Sequence, residues 1–549
     1  MNITMIAKKN YLCLLLLCVV TISSSAHAES TSLAEAMAKF LTCYPVELVF
    51  RNQQEPFVNK REVCLATIYH ETGAQPLWVT PQGPGQKASI ILKYLSNAEE
   101  EGLRPEDYDV GKIKALWRAS SFELLAQLDT LLTFSAVKYV HDVSHGQIEA
   151  YVADPELFAE AGKQSFDPVE IVEKLTSVED LDGFLHELPP KNIHYQALKA
   201  GLSVYSFLDQ TENWEPIDKG KTIRPGNQDS RIPTIRARLS VLSGIYTDTS
   251  LDLIYDEDLE RKVMLFQELH GLKEDGLIGR NTIAALNVTP AQRIEQIRIN
   301  MARWRWQDHD FGDEYILVNI ANFSLHAYEN GELVLNLPVI VGQSQNQTPV
   351  FSDRIKYIEI NPYWNIPTSI AVKEELPELQ KNPQYLVEKN IRLFSSWQED
   401  AVELDSTVID WSQVTPGQMA GYKLRQEPGP TNALGQLKFV FPNHYAVYLH
   451  DTPAKNLFSE NKRSFSHGCI RVSSPEKLAL FLLKRNDSSW DEVKIRELMA
   501  EGSRKVLQIR PPMPVHLTYQ TAWVDKSGRI HFNDDVYARD LKLQKALFM

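Results

Sequence analysis

Ser466-His467-Gly468-Cys469-Ile470-Arg471 sets a thiol beside a glycine and between two basic side chains, and His450-Asp451 lies a short way upstream. A thiol attacks a carbonyl as its thiolate, so it needs a base to remove the proton and donors to hold the oxyanion that forms. Gly468 lets the backbone turn tightly, so the amides of Gly468 and Cys469 can point at a bound carbonyl. His450 ends the alternating run Tyr445-Ala446-Val447-Tyr448-Leu449-His450, which reads as a strand with Ala446, Tyr448 and His450 on one face. That strand would set a fixed imidazole over the loop carrying Cys469. Cys469 is then the nucleophile and His450 the base, with Tyr448 lining the pocket. His467 reads as a group that orients the site. Arg471 reads as a partner for a substrate carboxylate or as a brace for the loop. Ser466 can hydrogen-bond locally.

These residues need a scaffold. From residue 30 to about 225 the pattern is helical: Ser32-Leu33-Ala34-Glu35 is a capping box, and Leu124, Leu128, Leu131, Leu132 and Ala136 make an apolar face. Ile90, Ile91, Leu95 and Ala98 make another, stopped by Gly102. His141 and His145 are one helical turn apart but lack a third ligand, and read as structural. Residues 215–232 are polar with scattered Pro and Gly, and read as a linker. A compact helical module follows, with stripes at Ile235, Leu239, Leu242 and at Val263, Phe266, Leu269, and a tight loop at Gly271 and Gly276. Beyond Ile294 the chain turns to strands, with Asn330-Gly331 as a hairpin signal and a late hairpin around Asp525-Lys526-Ser527-Gly528. Between Ala371 and Gly429 an insertion interrupts them with a surface helix and the tryptophans Trp397 and Trp411.

At 549 residues, with 43% hydrophobic and 23% charged residues, the chain has material for three or four globular domains. A net charge of −14 argues against nucleic acid as a partner. Lys8 and Lys9, the apolar run from Tyr11 to Ile22 and Ala26-His27-Ala28 read as an export signal cleaved after Ala28. Its retention as a membrane anchor is the alternative. Cys13 and Cys18 leave with that segment. Cys43 and Cys64 read as a disulfide or as two reduced core residues, and Cys469 is the odd thiol.

The string around Cys469, together with Asn432-Ala433-Leu434-Gly435, Lys438-Phe439 and His450-Asp451-Thr452-Pro453, resembles the signature of the L,D-transpeptidases, the cysteine enzymes that cross-link peptidoglycan stems. Asn361-Pro362-Tyr363-Trp364-Asn365-Ile366-Pro367 resembles a wall segment of their large Gram-negative members. Phe266-Gln267 to Leu286-Asn287 is similar to a three-helix peptidoglycan-binding module. The resemblance implies a multidomain α+β protein. Its parts are a signal peptide over 1–28, a helical scaffold domain over 29–225, the binding module over 231–290 and a β-rich, sandwich-like catalytic domain over 295–540, with a capping insertion over 371–429. It implies substrate contacts from Asn361, Tyr363, Trp364 and Trp411 beside Tyr448, His467, Arg471 and Ser466. It also implies a Gram-negative periplasmic location, peptidoglycan stem peptides as substrate, and periplasmic cell-wall synthesis proteins as further candidate partners. On this reading Cys469 takes the acyl group of a tetrapeptide stem as a thioester, D-Ala leaves, and a second stem closes a 3→3 cross-link. Carbapenems would acylate the same thiol.

Other readings remain open from the residues. Water or a lipoprotein lysine can accept the acyl group in place of a stem. His450, His467 and Cys469 also make a zinc ligand set, although the resembled family is metal-free, so no metal and no cofactor is expected. A non-catalytic wall-binding scaffold is a third reading, opposed by the presence of both Cys469 and His450.

Overall fold

The computed structural model describes residues 30–42, 65, 68–70, 73–157, 166–243, 252–307, 310–485 and 487–548. The expected export segment and both Cys43 and Cys64 lie outside the described residues.

The N-terminal half is helical because its apolar residues recur at helical spacing. Its longest helix, Phe122–Ser144, starts where the Ser121 side chain accepts from the Leu124 amide. It buries Leu128, Leu132 and Val140 against Leu33–Thr42 and Gln86–Ser96. The second of these ends at Ser96, earlier than expected; a 3-10 turn over Ala98–Glu101 follows, and Gly102 at φ 70 closes it. Asp129, buried inside, accepts from the amides of Leu77, Trp78 and Val79, which is what a carboxylate in an apolar core requires. His141 and His145 stack on each other and against Phe166.

Two pieces of this half reach into the C-terminal half. Ala150, Ala153 and Leu157 belong to the core under the large sheet, and helix Ile193–Thr211 packs on helix Pro290–Arg305. The latter carries a Thr289/Gln292 capping box and ends with Arg303, Trp304 and Arg305 all buried.

The helical module consists of Ile232–Ser243, Glu257–Leu269 and Arg280–Leu286 around Ile235, Leu239, Val263, Phe266 and Ile283. Residues 215–232 are no free linker. Ile217 and Ile223 are buried in the module's core, and Ile223 exchanges two backbone hydrogen bonds with Ile278. Asn287 also brackets Ile217, donating to its carbonyl and accepting from its amide, so burial and hydrogen bonds together anchor the segment.

The C-terminal half, apart from the insertion and a late two-stranded hairpin, is one curled sheet. Its order is 464–466, 332–342, 470–472, 449–450, 437–440, 351–360, 505–518, 314–319 and 324–329, and the last strand pairs back onto 332–342. The sheet therefore closes on itself through strands 324–329 and 332–342 rather than forming two separate layers, and the short strand 464–466 is left at its edge. Asn330 and Gly331, at φ 52 and 79, make the expected hairpin turn. The inner faces bury Val339, Val341, Ile358, Phe439, Leu449, Ile470 and Leu517, with Leu478 and Leu482 of helix Pro475–Lys484.

The insertion is a small domain of its own. A four-stranded sheet, ordered 364–365, 423–426, 391–394, 403–404, covers a core of Leu376, Leu379, Leu386, Leu393, Trp411 and Leu424. Each buried leucine contributes about 1.5–3 kcal/mol to a core separate from that of the large sheet. The acidic stretch at its start is a π-turn, Ala371–Glu375, running into helix Leu376–Lys381.

Candidate active site

The site lies where three short strands meet. Leu449 pairs with Ile470 and His450 with Arg471 in parallel, while Lys438 pairs with His450 and Glu359 with Lys438 in antiparallel. Paired residues share a face, so Leu449 and Ile470 point into the core. Arg471, His450, Lys438 and Glu359 form a polar row on the opposite face. Tyr448 and Cys469 lie one step further along that same face. The strand is shorter than the sequence suggested. Only Leu449–His450 is in the ladder; Ala446 sits at φ 55, in a turn held by the Asn443 side chain, which bonds the carbonyl and the amide of Val447. Period-two alternation from Tyr445 was therefore a coincidence of a turn, although it placed Tyr448 and His450 together correctly.

The half-buried thiol of Cys469 donates to the carbonyl of Ala446 at 3.6 Å. Burial pushes its pKa up. Tyr448, bonding the sulfur through both backbone and side chain, and the cations Lys438 and Arg471 pull it back down. The Tyr448 hydroxyl also bonds the Trp364 side chain, and Lys438 Nζ lies 4.1 Å from the Tyr448 ring centroid. His450 is buried. Its Nδ1 lies 2.5 Å from the carbonyl oxygen of Asp451, which can only accept, so Nδ1 carries the proton and Nε2 keeps its lone pair. Burial, with Arg471 and Lys438 nearby, depresses the His450 pKa to about 3. At neutral pH the imidazole is uncharged, with its Nε2 lone pair free of a proton.

The loop before the thiol is held by side chains. Ser466 Oγ donates to the Cys469 carbonyl at 2.5 Å and accepts from the Gly468 amide at 3.2 Å. The Gly468 amide is thus spent on the loop, which corrects the expectation that it faces a bound carbonyl. Gly468 sits at φ 116, a conformation that suits glycine. Its carbonyl accepts from Thr348 Oγ1 at 2.8 Å, and the Gln343 amide bonds the Ser466 carbonyl at 2.9 Å. Tyr537 ties the Gly342–Thr348 turn from below, donating to the Gly342 carbonyl at 2.6 Å. His467 is exposed and faces the insertion, with Nε2 2.6 Å from Glu374 Oε1.

The remaining expected contacts divide. Trp364 reaches Tyr448, and Tyr363 stacks under Arg425, 4.6 Å from its ring centroid. Trp411 is only 1% exposed inside the insertion and donates to the Ser406 carbonyl, so it is core and no substrate contact. Asn361 is buried, at φ 49, with its amide donating to the carbonyls of Leu498 and Met499; it turns a corner of the chain, and what remains open of it lines a cavity of about 410 Å³ with Gly435, Asp451 and Met499, whose lining does not include Cys469. Indole and amide side chains carry no sequence mark that separates core from groove. Arg471 Nε is buried and has no hydrogen-bond partner among the described residues. Sequence reasoning missed Lys438 as a site cation and missed Thr348; it read Glu374 as part of a surface helix and Tyr537 as closing the domain, without their contacts to the loop. Lys438 pairs with His450 only through the sheet register, and the others come from distant segments. Among the described residues no cluster of three or more His, Cys, Asp or Glu side chains is spaced to hold a metal.

Comparison with known proteins gives three family matches in series: a scaffold domain over residues 64–202, a "Putative peptidoglycan binding domain" over 228–286 and an L,D-transpeptidase catalytic domain of the YkuD family over 313–495. A Haemophilus influenzae protein described as "Putative L,D-transpeptidase" is 35% identical over 231 residues, which is 42% of this chain and 45% of that protein. The matched stretch thus spans less than half the length of that relative. Among solved structures, an L,D-transpeptidase from Mycobacterium smegmatis is 12% identical with a TM-score of 0.19, over 38% of this chain and 58% of that one. One from Xylanimonas cellulosilytica is 16% identical with a TM-score of 0.16, over 55% and 100%. Superpositions that loose carry no argument. The family matches, taken with the closed sheet and the helical module, show that this chain carries a YkuD-family L,D-transpeptidase catalytic domain joined to a scaffold domain and a peptidoglycan-binding domain.

Proposed function

We propose that the protein forms 3→3 cross-links between peptidoglycan stems through a thioester on Cys469, working in the periplasm after export. His450 Nε2 takes the thiol proton as the sulfur bonds to the carbonyl of the third stem residue. The Cys469 amide and the Tyr448 hydroxyl hold the oxyanion. The bond to the terminal D-Ala breaks, and its nitrogen leaves with the proton from His450. An amine from a second stem then attacks the thioester, His450 takes a proton from it, and the sulfur departs and is reprotonated. Arg471, next to the thiol, supplies a guanidinium for a substrate carboxylate.

One observation carries this reading. The His450 imidazole is neutral, oriented by the Asp451 carbonyl, and on the same sheet face as the Cys469 sulfur. Lys438 and Arg471 favour the thiolate once the proton has left. Intact-mass spectrometry with disaccharide-tetrapeptide tests it. A Cys469 adduct followed by a 3→3 dimer is expected. An adduct that yields only tripeptide makes water the acceptor, and absence of any adduct rejects the thioester. Imipenem, which presents a strained carbonyl to the same sulfur, should acylate Cys469.

A further inference from the structure

A second cleft lies away from the thiol. A cavity of about 790 Å³ lies between the peptidoglycan-binding module and the catalytic half, outside the site already described. The module contributes Lys273 and Asn281, and the catalytic half contributes Asn322, Asn336, Lys462 and Trp523.

Its walls are fixed. His270 of the module stacks on Phe266, 3.8 Å between centroids, and meets Phe532 of the late hairpin at 5.8 Å. Gly271, at φ 61, approaches Asn533 so closely that an added Cβ would lie 2.5 Å from its Nδ2. Gln296 bonds the carbonyls of Thr521 and Asn533. Trp523 is immobilised too: it stacks on His531 at 4.1 Å and donates from Nε1 to Asn533 at 2.9 Å. A ring already held in place loses little entropy when a ligand packs on it.

The lining also selects a ligand class. Amides and an aromatic ring suit hydroxyl and N-acetyl groups, which need hydrogen bonds and a flat apolar surface. Glu268, Glu274, Asp275 and Asp534 line the same cleft and would repel a polyanion. A second cavity, about 670 Å³, shares Lys273, Asn461 and Lys462 with the first and continues along Ser464 and Phe465. That segment enters strand Ser464–Ser466 and leads to Cys469. From Phe465 to Cys469 the chain can extend at most about 14 Å, the reach of a four-residue peptide.

We propose that the cleft is a composite saccharide site, shared by the module and the catalytic half, that holds the N-acetylhexosamine backbone of peptidoglycan while a stem peptide runs along residues 459–466 to the thiol. The proposal rests on the acyl-transfer reading for the destination of the stem and on the cleft alone for the glycan.

The full-length protein is titrated calorimetrically with stem-free glycan oligomers prepared by amidase digestion of peptidoglycan. Binding is expected, weakened roughly ten-fold by Trp523→Ala and also weakened by Lys462→Glu. If Trp523→Ala does not fold, the exposed positions Lys273→Glu and Asn336→Asp carry the test. No binding by the wild type, equal binding by every cleft variant, or a preference for polyphosphate over glycan overturns the proposal. Thioester formation is read in parallel. An adduct without cleft-dependent glycan binding rejects the cleft and keeps the acyl transfer; cleft-dependent glycan binding without an adduct does the reverse.

Discussion

The two sides of the candidate site are positioned by different physics. His450, Lys438 and Arg471 stand on strands, where backbone ladders and the core residues Leu449, Phe439 and Ile470 fix them. The Ser466–Cys469 loop has a ladder only at its first residue, and side-chain hydrogen bonds from Ser466 and Thr348 give it the rest of its shape. On the strand side a functional residue can change without moving its neighbours. On the loop side the supporting residues are themselves fragile points, and none of them needs to touch substrate.

The largest effect should come from the strand side, where chemistry and position separate cleanly. His450→Gln keeps a buried polar side chain on an intact strand but removes the base. Turnover should fall by about 10²–10⁴-fold while the thermal midpoint stays within a few degrees. Stopped-flow acylation of Cys469 by imipenem measures the first quantity and calorimetry the second. A loss below ten-fold would hand the proton to another group, with His467 next to examine.

The loop side should break structurally. A Cβ on Gly342 would lie 2.0 Å from the Asn346 carbonyl oxygen and 2.9 Å from the Thr348 amide, both of them backbone. Gly342→Ala must therefore displace the turn that holds Gly468, at a cost of about 2–4 kcal/mol. Acylation should slow together with stability, in contrast to His450→Gln, and chemical denaturation with urea reads the difference.

Acid sharpens the contrast further. Burial depresses His450 and His194 to about 3 and His326 and His516 to about 4, against an ordinary 6.5. The native state refuses protons that the unfolded chain binds between those values. The stability they supply is thus complete above pH 6.5 and is lost as pH falls toward 3. At pH 5.5 each contributes roughly 1 kcal/mol less than at neutral pH. Urea midpoints measured from pH 7.5 to 5 should fall accordingly, and His450→Gln should flatten that slope by one histidine's share.

This contrast also explains what the sequence could reveal. Cys469, His450 and the hairpin at Asn330-Gly331 were legible because local chemistry or a turn requirement dictates them. The helical module was legible because Val263, Phe266 and the loop glycines keep fixed spacing. Trp411 and Asn361 misled because a tryptophan or asparagine carries no local mark of burial; both became internal supports. Residues 445–448 imitated a strand because a turn with Val447 turned inward also alternates. The contacts of Thr348, Tyr537 and Glu374 were invisible because their partners are more than ninety residues away.

The smallest effect tests whether the insertion belongs to the loop's support. Glu374 lies on the insertion's π-turn and His467 on the loop, 2.6 Å apart, with side chains 50% and 35% exposed. An ion pair that open to solvent is worth at most about 1 kcal/mol. The insertion has its own core, so losing the contact should not unfold it. Glu374→Gln keeps the shape and the hydrogen-bonding capacity while removing the charge. Acylation of Cys469 should then change by less than about five-fold, with no shift in the urea midpoint. Thr348 and Ser466 would hold the loop without help from the insertion. A loss well beyond ten-fold at unchanged stability would instead make Glu374 a positioning residue. The cap would then join the side-chain scaffold around the thiol, and the fragile side of the site would extend across the domain boundary.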